Sequence, residues 1–205
     1  MEDTYKTIEK PSEGLFKDKG SKFISFAFPV NSEDEIKDIV QSIKKEHHSA
    51  RHHCYAWRLG ADQLHFRAND DGEPSSTAGK PILGQIQSFD LTNILIVVVR
   101  YFGGTLLGVS GLINAYRNAA LDAINQAEIV EKLVEKWLLV EFDYRAMNEV
   151  MKIFKDEKLP QINPQFDLKC KIKTHIRLSE LNRIEVNMQK LEGVKVTGIE
   201  WQGGC

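Results

Sequence analysis

An unbroken aliphatic run, Ile94 to Val99, ends at a lone Arg100, and Tyr101, Phe102, Gly103 and Gly104 follow at once. A cation leaving a buried strand needs an anionic partner or an anionic ligand. Glycines at 103, 104, 108 and 111 allow positive φ or close backbone approach beside it. The second chemically loaded stretch is Asn69 to Pro81, where Asp70, Asp71 and Glu73 precede Ser75, Ser76, Thr77, Gly79 and Lys80. These carboxylates suit a hard cation such as Mg²⁺ or Ca²⁺, acid and base chemistry, or an ion pair with Arg100. Arg100, Lys80, Thr77, Ser110 and the amides of Gly103 and Gly104 form a candidate phosphate-binding set, since backbone amides and a helix N-terminus hold anions.

Several specific chemistries are not matched. The glycines give neither G-x-G-x-x-G nor a G-K-[ST] ending, so ATP, GTP, NAD and other cofactors are not expected. The acids lack the D-x-[DN]-x-[DN]-G spacing of a calcium loop. His47, His48, His52, His53 and Cys54 are not spaced as H-E-x-x-H, and a strand through 52–54 sends neighbours to opposite faces, so no metal is assigned. Cys54 beside a histidine is a conceivable nucleophile, but no catalytic run such as G-x-S-x-G is present and no catalytic residue is assigned. Arg51, His53, Trp57 and Arg58 interleave cations with aromatic rings, the composition of a nucleic-acid patch. Lys169, Lys171 and Lys173 alternate onto one strand face with His175 in step, which a solvated sheet face explains equally well.

The elements that must position these residues follow from periodicity. Phe16 to Phe28 reads as two strands turning at Lys19-Gly20. A helix follows from Ser32 to Glu46, with Ser32 and Glu35 as a capping box and Ile36, Ile39, Val40 and Ile43 on one face. His53 to Leu59 and Gln63 to Ala68 form a hairpin around Gly60-Ala61-Asp62. The hydroxyls before Pro81 start a short helix ending near Ser88. Ile94 to Val99, without polar alternation, is a central strand covered on both faces, and Tyr101 and Phe102 after it can still pack inward. A long helix runs from Leu112 to Ala127. The result is an α+β pattern, a mixed sheet with its helices on one face. The pattern then restarts with strands at Trp137 to Tyr144, Ile162 to Gln165, Phe166 to Leu178 and Val194 to Trp201, and helices at Ala146 to Lys158 and Ser179 to Leu191. That order is βαββαβ, the ferredoxin-like plan, and the expected domains are 1–130 and 131–205.

Asp71-Gly72-Glu73-Pro74, Thr77-Ala78-Gly79, Pro81, Val99-Arg100-Tyr101-Phe102-Gly103-Gly104 and Leu107-Gly108 resemble, in that order, the YigZ/IMPACT family. The resemblance covers about residues 1 to 128, and the remaining length suits a bacterial-type two-domain member. It implies an N-terminal domain with the βαβ topology of elongation factor G domain IV and of a small-subunit ribosomal protein, and a C-terminal domain like the ferredoxin-like domain V. It also implies a translation-associated or nucleic-acid-binding role. In eukaryotes, IMPACT restrains an amino-acid-starvation kinase by competing for its activator protein, and that member carries an additional N-terminal interaction domain, which this chain is expected to be too short to include.

Composition narrows the setting. The 205 residues, 42% hydrophobic, suffice for one or two compact cores. Residues 1 to 130 carry 14 Lys and Arg against 17 Asp and Glu, and residues 131 to 205 carry 13 against 12, so any nucleic-acid contact requires a local patch. No apolar stretch approaches a membrane span and the N-terminus is charged, so a cytoplasmic protein without membrane contact is expected. Cys54, Cys170 and Cys205 form no disulfide framework, and Cys205 is expected to be an exposed thiol. The primary expectation is a non-catalytic module binding RNA or a ribosomal surface. The alternatives are an enzyme on a small phosphorylated or acidic substrate, using Asp70, Asp71 or Glu73 with Arg100 as clamp, and a regulator that binds only protein.

Overall fold

The computed structural model describes residues 3–199, so the expectations for Trp201 and Cys205 lie outside the described residues. The chain divides into two compact units, one of Tyr5–Lys132 and one of Leu133–Cys205 together with Met1–Thr4.

In the first unit the order is β1 (Thr4–Ile8), β2 (Ser12–Asp18), β3 (Ser21–Pro29), α1 (Glu33–Glu46), β4 (His52–Leu59), β5 (His65–Asn69), α2 (Gly79–Ser88), β6 (Ile94–Tyr101), α3 (Gly108–Asn125) and β7 (Ile129–Leu133). Lys19 and Gly20, at φ 44 and 82, make the two-residue turn between β2 and β3 that suits the twist of a hairpin. Ser32 caps α1 by accepting from the Glu35 N–H at 3.2 Å, and the Glu35 carboxylate accepts from the Asn31 N–H at 2.8 Å. Acids in the first turn of α1 and Lys44 and Lys45 in the last complement its dipole.

The five-stranded sheet has the order β2-β3-β6-β4-β5, and its neighbouring strands are antiparallel throughout. The expectation of a mixed sheet with helices on one face is therefore corrected. Strands β3 and β4 flank β6 and both oppose it, so β3-α1-β4 is a βαβ crossover with β6 inserted between its strands. Leu95, Val97 and Val99 pack with Ile36, Val40 and Ile43 of α1, while Ile94, Ile96 and Val98 pack with residues of α2 and α3 such as Ile82, Ile86 and Ala119. Burial on both faces explains the missing alternation in β6, and it is equally compatible with parallel or antiparallel neighbours. Each fully buried aliphatic side chain contributes about 1.5–3 kcal/mol relative to exposure, which makes this strand the unit's organising element. Strand β1 has no apolar alternation and was not expected; it joins β7 in a two-stranded sheet.

In the second unit come β8 (Glu135–Asp143), a 3₁₀ turn at Tyr144–Ala146, α4 (Met147–Asp156), β9 (Ile162–Gln165), β10 (Lys169–Arg177), α5 (Leu178–Gln189) and β11 (Val194–Ile199). The sheet order is β11-β8-β10-β9, all antiparallel, as the βαββαβ order requires. Cys170, Ile172 and Ile176 alternate inward and meet Leu138, Val140 and Phe142, with Val150, Phe154, Ile184 and Met188 from the helices. Lys169, Lys171 and Lys173 are exposed on the opposite face, where Lys171 pairs with Glu141 at 2.7 Å. Asp3 accepts from Arg177 Nε at 2.7 Å, Arg177 Nη2 at 2.9 Å and the Ser179 N–H at 3.2 Å.

Candidate functional site around Arg100

Strand β6 carries Arg100 to its last buried position, directly opposite Phe23 on β3 and His52 on β4. Its guanidinium Nη1 lies 2.6 Å from Glu73 Oε1, and both side chains are more than nine-tenths buried. The Tyr116 hydroxyl, from the middle of α3, donates to the same carboxylate oxygen at 2.8 Å. The Cys54 thiol donates to that hydroxyl at 3.3 Å and approaches the Asp70 carbonyl at 3.1 Å. The guanidinium carbon is 5.6 Å from the ring centroids of both Phe23 and Phe102, within cation–π range. Acid loop, central strand and long helix thus converge on one buried ion pair.

The other two acids are also engaged. The Asp70 carboxylate accepts from the N–H groups of Ser76 at 2.8 Å, Ala78 at 3.0 Å and Gly79 at 2.8 Å, so it satisfies the start of α2. This corrects the expectation that hydroxyls open that helix: Thr77 is buried and its hydroxyl donates to the Pro74 carbonyl at 2.6 Å. Asp71 accepts from the His53 N–H at 2.7 Å and from Lys44 Nζ at 2.8 Å, and its carbonyl meets His52 Nδ1 at 2.9 Å. Burial works against the Asp71 charge, but the bonds from Lys44 and the His53 N–H outweigh it and hold the carboxyl below its ordinary value. Among the described residues no group of three or more His, Cys, Asp or Glu side chains could hold a metal ion. Burial, reinforced by the nearby carboxylates, pushes the Cys54 thiol far up, and burial does the same to the Tyr116 phenol. Neither is poised as a nucleophile or base at neutral pH.

The remaining phosphate candidates part company. A Cβ on Gly103 would stand 1.9 Å from the Gly20 carbonyl carbon, and the Gly103 N–H donates to Ser21 Oγ at 3.1 Å. Gly103 therefore serves close packing against the β2-β3 turn. Gly104, at φ 87, has open space beside it, and Lys80 and Ser110 are exposed in the first turns of α2 and α3. Helix α3 has no side-chain cap and no acid in its first turn.

Next to the ion pair lies a cavity of about 530 Å³. Arg100 and Glu73 form its buried end with Leu107 and Leu112, and Arg51, His52, Phe102, Leu106 and Val109 surround its exposed side. Phe102 is 53% exposed, which corrects the expectation that it packs inward. Tyr101 takes the inward place, its hydroxyl 2.8 Å from His47 Nδ1, because successive strand residues point to opposite faces. The expected patch of Arg51, His53, Trp57 and Arg58 does not form. His53 and Trp57 are buried toward α1, and Arg58 turns back to the Gln63 side chain and the Leu91 carbonyl. Arg51 alone of these four reaches the cavity, where it joins His52 and Phe102. Tyr116 was missed by sequence reasoning; a lone tyrosine among the alanines of α3 was its only signal.

The Impact N-terminal domain model matches residues 19–124. The IMPACT family member YvyE of Bacillus subtilis is 30% identical over 192 residues, covering 94% of this chain and 88% of YvyE. The IMPACT family member YigZ of Escherichia coli is 44% identical over 110 residues, covering 53% of this chain and 54% of YigZ. A crystal structure of a hypothetical protein is similar over 98% of this chain and 99% of its own, with a TM-score of 0.74 and 27% identity. The matched span holds the acid loop, Arg100 and the cavity, and the chain belongs to the IMPACT family.

Proposed function

We propose that this chain is a non-catalytic, translation-associated regulatory protein that binds RNA, on the ribosome or free, through the exposed side of the cavity beside Arg100. The observation that carries this reading is the grouping of Arg51, His52 and the exposed Phe102 ring around that opening, with the uncapped and acid-free first turn of α3 beside it. Cations that meet phosphates and an aromatic face that meets a base are the two components of single-strand recognition. Asp70, Asp71 and Glu73 are each held by internal partners, which favours a binding surface over an enzyme. Lys80 and Ser110, exposed in the first turns of α2 and α3, are further phosphate contacts in this proposal. In this proposal the two units correspond to elongation factor G domains IV and V, the second on the ferredoxin-like plan, and act in the cytoplasm.

Ultraviolet crosslinking of the purified protein to ribosomal RNA, followed by peptide mapping, tests this function. Crosslinks concentrated in the peptide holding Phe102 are expected. Crosslinks scattered over the surface would overturn recognition at this cavity, and none, with a single protein partner recovered after nuclease treatment, would replace RNA binding by protein binding.

A further inference from the structure

Resting on the reading that the cavity opening meets RNA, we propose that the cavity at the end of β6 and the start of α3 is a pocket for one unstacked nucleobase, with its 5′-phosphate held at the opening. The volume, about 530 Å³, lies within the range of small-molecule pockets. Its chemistry discriminates among ligands. At the buried end a guanidinium and a carboxylate stand side by side, each more than nine-tenths buried. Arg100 Nε is buried without a hydrogen-bond partner, so the guanidinium keeps unused donor capacity even with Glu73 bound. A bare phosphate reaching this end would meet the Glu73 charge. A hydrocarbon chain would leave the Arg100 donors unanswered. A flat ring whose edge offers both an acceptor and a donor answers both groups, and nucleobase edges have that character.

The sides complete the argument. Phe102 presents an exposed ring with the Arg100 cation 5.6 Å from its centroid, a platform on which a base can stack. Leu107 and Leu112 supply apolar walls, and the exposed Arg51 and the half-buried His52 flank the opening at the place a 5′-phosphate would leave the pocket.

The test is calorimetric titration of the full chain with AMP, GMP, CMP and UMP. Saturable one-to-one binding of at least one is expected, weakened about ten-fold or more in Phe102→Ala. In Arg51→Ala the advantage of the nucleotide over its nucleoside should disappear, and inorganic phosphate should not displace the nucleotide. Both residues are exposed, so the variants should keep the wild-type circular dichroism and melting behaviour. Absence of saturable binding up to millimolar concentration would overturn the pocket, as would an apolar dye filling it that no nucleotide displaces. If the protein still binds ribosomal RNA in that case, the pocket fails and the RNA-binding reading stands. Nucleotide binding lost in Phe102→Ala without any RNA or ribosome binding supports the pocket and removes the broader reading.

Discussion

The Arg100 guanidinium and the Glu73 carboxylate meet at 2.6 Å although 27 residues separate them in sequence, and both are buried. Removing one partner leaves an uncompensated buried charge, at a cost of about 3–5 kcal/mol. Glu73→Ala and Arg100→Ala should each destabilise the Tyr5–Lys132 unit on this scale, while the Glu73→Ala/Arg100→Ala double variant should lose less than the sum of the two. Urea unfolding followed by the Trp57 indole signal in NMR spectra measures this. Additive losses would mean that the two side chains are not coupled.

Gly103 and Gly104 separate packing from backbone conformation. Gly103→Ala drives a methyl group into the Gly20 backbone at 1.9 Å and should destabilise by about 1–3 kcal/mol or more. Gly104→Ala enters open space at φ 87, so only the backbone conformation opposes it, by about 1 kcal/mol. Thermal unfolding of the two variants should rank them in that order.

Cys54 and Cys170 are buried, and the Cys54 thiol is pushed far above its usual range. At neutral pH iodoacetamide should therefore label neither in the folded protein and both in urea, as read by peptide mass spectrometry. Labelling of folded Cys54 at neutral pH would contradict the packing around Tyr116.

Asp3 supplies a pH dependence of known sign. Hydrogen bonds from Arg177 and Ser179 lower its carboxyl from 3.8 to about 2 in the folded state. A depressed folded value stabilises fully above the unfolded value and is lost as pH falls through the folded one. The Asp3–Arg177 contribution should thus be complete above about pH 4 to 5 and fade between about pH 4 and 2. Acid titration of Asp3→Asn, followed at the Arg177 and Ser179 resonances, should lack that step; an unchanged step would assign it to another carboxylate.

Much of the fold was legible in the sequence because local rules and tertiary packing agreed. Ser32 and Glu35 announced α1, Lys19-Gly20 announced the first hairpin turn, and the uninterrupted Ile94 to Val99 announced a strand covered on both faces. Strand direction was not legible, since burial on two faces has the same pattern for parallel and antiparallel neighbours. The site was half legible. Arg100 at the end of a buried strand implied an acidic partner, but Asp70, Asp71 and Glu73 are equivalent by type, and only the fold assigns the first to α2, the second to β4 and Lys44, and the third to Arg100. Trp57 and Phe102 also depart from their expected roles: strand alternation in β4 turns Trp57 toward α1, which depends on where the helices lie, and Phe102 falls just past the end of β6 and is exposed.

The most direct measurement is co-sedimentation of the protein with purified ribosomal subunits at about 50 to 200 mM salt, comparing wild type with the Arg51→Ala/Phe102→Ala double variant. Wild-type binding that weakens with salt, and is lost in a folded double variant, is the result expected. Equal binding by both proteins, or none by wild type at low salt, would contradict RNA recognition at this cavity.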